Sequence, residues 1–165
     1  MITIKDTNLL GVKLIQPSIF EDHRGEYIET WNKDIYKIIG DIEFVQDDVS
    51  ISTQGVLRGI HGDDGTYKLI SCLYGKFYIV VVNCDKESEE FGKWESFTLS
   101  DVNRTQVLIP PKHGNAHLIL SEKAIFHYKQ NTNYNREGQF TYRWDDPQFN
   151  IWWPINNPIL SQRDS

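Results

Sequence analysis

A chain of 165 residues, 39% hydrophobic and 13% aromatic, holds enough apolar mass for one packed domain and too little for two, so residues 1–165 are expected to form a single domain. The formal net charge of -6 argues against a nucleic-acid or anionic-membrane surface, although a local basic cluster can still bind phosphate. Lys5 and Asp6 interrupt the apolar N-terminal residues and no run of about twenty apolar residues occurs anywhere, which speaks against a secretory signal and a membrane span.

The first predicted element is a short helix over Asn32–Ile39, expected to lie outside any sheet. From there the chain is punctuated by Gly, Asn, Asp and Pro between runs of β-branched and aromatic residues, the pattern of an antiparallel all-β domain built as a sandwich or barrel. Lys68–Val82 is the clearest run, and Gly75 with Lys76 in its middle suggests two strands joined as a tight hairpin. Further strands are expected at Trp94–Leu99, Thr105–Ile109, His117–Leu120, Ala124–Gln130 and Thr141–Trp144. The stretch Trp144–Leu160 carries Trp152 and Trp153, which call for burial. Cys72 and Cys84 each sit in an apolar stretch and read as buried reduced thiols, which suits a cytoplasmic protein.

Histidines are the first place to look for chemistry near neutral pH, and there are five. His23 and His127 read as structural or solvated. His113 and His117 have helical spacing, but Pro110, Pro111 and Gly114 make a helix there unfavourable, so they are not read as a metal pair. His61 stands apart because Arg58 precedes it and Lys68 follows it at a strand start. In a regular strand Arg58 and His61 need not share a face, and the spacing alone leaves His61 open between a base and a satisfied core residue.

The stretches FEDHRGEYIETWN, FVQDDVS, VLRGIHG, YKLISCLYGKFYIVVVN, ESEEFGKWESFTLS, AIFHYK, RWDDPQFNIWWP and ILSQRD, in that order, resemble the dTDP-4-dehydrorhamnose 3,5-epimerase family from about Leu14 to Asp164. The resemblance implies a cupin-type β-jelly roll with short peripheral helices, working as a homodimer on a nucleotide-diphosphate sugar without a cofactor. It implies no metal either: the residues after His61, from Gly62 to Tyr67, lack the second histidine and the glutamate of a metal-binding cupin.

The same resemblance assigns roles. His61 matches the family's base, which removes a proton from carbon beside the 4-keto group; Asp164 matches the aspartate that orients it, Lys68 the cation facing the enolate oxygen, and Tyr128 the acid that returns a proton from the other side. Arg24 and Arg58 match arginines near the diphosphate, Glu29 and Gln46 match positions near the base and sugar, and Tyr134 matches a tyrosine at the nucleotide end. Arg24 and Glu29 fall in a segment that, in this family, reaches into the neighbouring subunit's pocket. The loop between His61 and Lys68 is shorter than is usual, which bears on how Lys68 reaches the oxygen.

Two departures bear on substrate. HGDDGTYK follows the base, and KHGNAHLILS puts Asn115 at the family's usual histidine position near the sugar, flanked by His113 and His117. These variants resemble a subgroup acting on GDP-linked 4-keto-6-deoxyheptoses in capsule pathways, which is therefore the favoured substrate, with dTDP-4-dehydrorhamnose as the alternative. A 3,4-ketoisomerase and a silent sugar-binding cupin are the remote alternatives. The catalytic residues do not distinguish inversion at C3 alone from inversion at C3 and C5.

Overall fold

The computed structural model describes residues 1–165. Two short strands, β1 (Thr3–Asp6) and β2 (Lys13–Gln16), precede a two-stranded arm of β3 (Ser18–Asp22) and β4 (Gly25–Glu29). A helix α1 (Lys33–Tyr36) runs into a 3-10 turn, Lys37–Ile39. Then follow β5 (Gln46–Thr53), β6 (Leu57–Gly62), β7 (Lys68–Tyr74), β8 (Lys76–Asn83) and β9 (Trp94–Ser100). The last strands are β10 (Gln106–Ile109), β11 (His113–Ile119), β12 (Lys123–Gln130) and the two-residue β13 (Phe140–Thr141).

These strands build two antiparallel walls, one ordered β1-β2-β10-β7-β12-β5 and the other β13-β6-β11-β8-β9, which together form a cupin-type jelly roll. Ile70, Phe77, Ile79, Val107, Ile119 and Phe126 pack between the walls. Residues alternate along a strand, so Tyr78, Val80 and Val82 of β8 point outward, where Phe149 and Trp153 of the C-terminal segment cover them. That double cover is why β8 reads as an unbroken apolar run.

Gly75 does not make the expected hairpin. β7 lies in one wall and β8 in the other, so the run Lys68–Val82 turns a corner of the jelly roll instead of pairing with itself. Gly75 takes φ of 76°, and a Cβ there would sit 2.2 Å from the Lys123 carbonyl oxygen, so only glycine fits. Asp101 pins the corner: its Oδ2 accepts the Gly75 N–H at 3.0 Å, and its own N–H donates to the Gly75 carbonyl at 3.1 Å. Glycine followed by lysine marks a tight turn in either case; the pairing partner is decided by the apolar faces, which meet across the barrel.

The predicted helix begins where expected, with Asn32 Oδ1 accepting the Asp34 and Ile35 N–H groups as an N-cap. It is peripheral, yet its buried Tyr36 and Ile39 close the outer face of the larger wall over Ile15, Leu69 and Leu108. The strand expected at His117 starts earlier, at His113, and the one expected at Thr141–Trp144 shrinks to Phe140–Thr141. Trp153 is buried and donates from Nε1 to the Trp144 carbonyl at 2.8 Å, whereas Trp152 stays 63% exposed, contrary to the expectation for both tryptophans. Both cysteines are buried and free.

Candidate active site

Arg58 and His61 share a face because β6 carries one residue too many. β11 advances from Asn115 to His117 while β6 moves from His61 back to Arg58, a bulge that returns both side chains to the interior. Gly59, with φ of 117°, lies inside the bulge so close to β11 that a Cβ would stand 2.4 Å from the Asn115 carbonyl oxygen. Both side chains therefore line a cavity of about 430 Å³ between the walls.

His61 Nε2 lies 2.6 Å from Oδ1 of Asp164, a carboxylate only 3% exposed, while Ser161 donates its hydroxyl to the other oxygen at 3.0 Å. Burial pushes the Asp164 carboxyl up, but the hydrogen bond and charge of His61, with the Ser161 hydroxyl and the Gly59 N–H, outweigh it and hold the group below the ordinary carboxylate range. Asp164 comes from the C-terminal turn, so the pair joins residues 103 apart in the chain.

Lys68 is 6% exposed and donates from Nζ to Asn115 Oδ1 at 3.0 Å and to the His61 carbonyl at 3.4 Å. Burial pulls its ammonium down to about 8, against the opposing charge of Asp63. Its placement does not depend on loop length, because β7 fixes it between Ile109 of β10 and Gln130 of β12. The short loop is stapled to match: Asp63 accepts from the Gly65 and Thr66 N–H groups and the Thr66 hydroxyl, and Asn131 accepts the Tyr67 N–H.

Tyr128 points inward from β12 with Phe126 and Gln130, two residues to either side. Burial first, then the charge of Asp48, pushes its phenol up to about 12. His117 stacks on Phe126 with ring centroids 3.9 Å apart and 9° between planes. Burial, reinforced by Arg58 and His61, pushes that imidazole down to about 3, so His117 is neutral across the working pH range, and its buried Nε2 has no partner in the chain. At the rim, Tyr134 donates its N–H to Gln46 Oε1 at 2.8 Å and accepts from Arg163 at its hydroxyl at 3.3 Å.

Residues 6–165 match the family model described as dTDP-4-dehydrorhamnose 3,5-epimerase. The chain belongs to the dTDP-4-dehydrorhamnose 3,5-epimerase family. It is 38% identical to the enzyme of that description from Shigella flexneri, over 96% of this chain and 90% of the relative. Among solved structures, the dTDP-6-deoxy-D-glucose-3,5-epimerase from Legionella pneumophila in complex with dTDP-4-keto-L-rhamnose matches with a TM-score of 0.94 at 35% identity, covering 99% of this chain and 90% of that one. A 3'-monoepimerase from Streptomyces bikiniensis in complex with dTDP-quinovose matches with a TM-score of 0.90 at 29% identity, covering 96% and 83%.

In this member of the epimerase family, His61, Tyr128, Asp164, Lys68, Gln46, Arg58, Asn115, His117 and Tyr134 all line the one cavity. Arg24 and Glu29 do not. Arg24 sits near the tip of the β3–β4 arm, paired with Asp22 at 2.6 Å, and Glu29 accepts from Asn32 Nδ2 at 3.2 Å. The arm is a sheet of its own, with Arg24 exposed near its tip and Glu29 at its base, opposite buried Ser18. Asp48, Ser50, Gln130, Gln139 and Arg163 also line the cavity and escaped the sequence reading. A signal was present for some: Asp48 and Ser50 follow Gln46 at the two-residue period of one strand face, and Gln130 follows Tyr128 likewise.

Proposed function

We propose that this chain inverts C3 and C5 of a dTDP-linked 4-keto-6-deoxy sugar, with residues 1–165 acting as one catalytic domain. The observation that carries the reading is the 2.6 Å contact of His61 with buried Asp164 inside a cavity that also presents the Lys68 ammonium and the Tyr128 phenol. A hydrogen on carbon beside a carbonyl is acidic because the carbanion left behind delocalises onto the oxygen. His61 takes that proton and Asp164 stabilises the imidazolium that results. Lys68 faces the enolate oxygen in a site shielded from water, where a single charge counts for most. Tyr128 gives the carbon a proton from the other side, which completes inversion. Arg58 holds the diphosphate, Gln46 and Tyr134 attend the nucleotide end, and Asn115 with neutral His117 meets the sugar.

The named relatives act on dTDP-linked sugars, which puts the dTDP reading ahead of the GDP-heptose substrate favoured by the sequence alone. GDP-4-keto-6-deoxyheptose stays as the second reading, favoured by Asn115 in contact with Lys68 where the family usually has histidine. Arg24 and Glu29, on an arm with exposed Phe20 and Tyr27, support a homodimer in which the arm of one copy completes the cavity of the other. No helix is long and apolar enough to cross a membrane, and the buried free thiols of Cys72 and Cys84 support a reducing, cytoplasmic setting.

The test is mass spectrometry of dTDP-4-keto-6-deoxyglucose incubated with the protein in deuterated buffer. Uptake of two deuterons into the ring is expected. Uptake of one limits the enzyme to a single carbon, and uptake of none overturns the reading.

A further inference from the structure

Asp48 has no part in the roles above, yet it sits directly across the β5–β12 ladder from Tyr128. Directly paired residues on antiparallel strands hold their Cβ atoms about 5 Å apart, within reach of each other's side chains. Asp48 Oδ2 accepts from Gln46 Nε2 at 2.7 Å and from Gln130 Nε2 at 3.0 Å. Both partners are neutral carboxamides, so neither offsets the carboxylate with a positive charge. The preceding residue makes the contrast: Asp47 points to the outer face, where Lys129 pairs with it at 2.8 Å. Lys129 of β12 goes outward, and the inner carboxylate is left with two amides.

We propose that Asp48 is a positioning residue for Tyr128: fixed by two carboxamides beside the phenol, it keeps the phenolic proton in place until a carbanion takes it, then drives the phenolate to regain one. The inference rests on Tyr128 being the acid of the proposed epimerisation. In that step the phenolic O–H bond breaks as the C–H bond forms, and the phenolate afterwards takes a proton from solvent. A phenolate beside an uncompensated carboxylate is a like-charge pair and short-lived. Several other charged or titratable groups line the same cavity. Lys68 comes from β7, Arg58 and His61 from β6, and His117 from β11, with Tyr134, Arg163 and Asp164 beyond the strands. After burial, the charge of Asp48 is the leading cause of the raised phenol.

The experiment follows the ζ-carbon resonance of Tyr128 in full-length protein carrying ¹³C-labelled tyrosine, assigned with Tyr128→Phe, from about pH 8 to about pH 11. The wild type is expected to stay un-ionised over that range. In the near-isosteric Asp48→Asn the phenolate is expected about half a pH unit or more earlier, and Asp48→Glu, which retains the charge, restores the wild-type behaviour. Asp48→Ser removes the same charge by a different route and must shift the resonance in the same direction. If Tyr128 titrates in both charge-removing variants as it does in wild type, the proposal is overturned. The resonance is read without turnover, so loss of the epimerase reading, seen as no ring exchange by wild type, is a separate result.

Discussion

Lys68 donates from Nζ to the side-chain oxygen of Asn115 across 3.0 Å, and that partner carries no charge. The ammonium is thus buried against a dipole and not an anion, and burial brings it down to about 8. Because the enolate oxygen of the proposed reaction needs the protonated form, turnover should fall as pH rises through about 8. Lys68→Met should lower kcat by on the order of 10²–10³-fold and flatten that limb, as read from kcat between pH 6 and 10. Stability moves the other way. Between about 8 and the ordinary lysine value near 10.5 the unfolded chain holds more protons at this position, so wild type should gain stability with rising pH relative to Lys68→Met, measured by urea unfolding.

In the proposed reaction Asp164 acts through His61, which it meets at 2.6 Å. Asp164→Asn keeps the shape but removes the charge that stabilises an imidazolium, so kcat should drop by about 10²–10⁴-fold with nucleotide affinity little changed. The lowered Asp164 carboxyl contributes stability that is present above its unfolded value and is lost as pH falls through the lower folded value. Acid unfolding of the Asn variant should therefore be less steep than that of wild type.

Tyr128→Phe should slow inversion more than exchange, because His61 can return the proton it removed and leave the carbon as it was. Deuterium uptake and product configuration, measured on one sample, separate the two rates. Equal losses would count against a separate acid.

Gly59→Ala tests the bulge. A methyl group there meets the Asn115 carbonyl oxygen at 2.4 Å and Ala116 at 2.7 Å, at a φ of 117° that side chains rarely adopt. The variant should lose about 2 kcal/mol or more of unfolding free energy, measured by urea titration, and lose activity as Asn115 is displaced from Lys68.

Much of this was legible in the chain. Continuous apolar runs and turn residues announce the strands from Lys68 onward, and the all-β class follows from them. The earlier strands are harder to see because β3 and β4 expose most of their side chains, and β5 turns polar Gln46, Asp48 and Ser50 inward while Val49 and Ile51 face out, the reverse of the usual period-two pattern. Pairing is invisible locally: Gly75 looks like a hairpin turn and is a corner, since the partners of β7 are β10 and β12. The shared face of Arg58 and His61 depends on a bulge whose register is set by β11, far along the chain. Asp48 was missed because a carboxylate next to Asp47 on an exposed-looking strand reads as solvated; only the fold brings Gln46 and Gln130 onto it.

The most direct test is proton NMR in deuterated buffer of wild type and His61→Asn with dTDP-4-keto-6-deoxyglucose and with a GDP-linked 4-keto-6-deoxyheptose, following the C3 and C5 signals. The account predicts loss of both signals from the dTDP sugar with wild type and retention of both with His61→Asn. Exchange by His61→Asn at the wild-type rate, or exchange by wild type confined to the GDP-linked sugar, would contradict it.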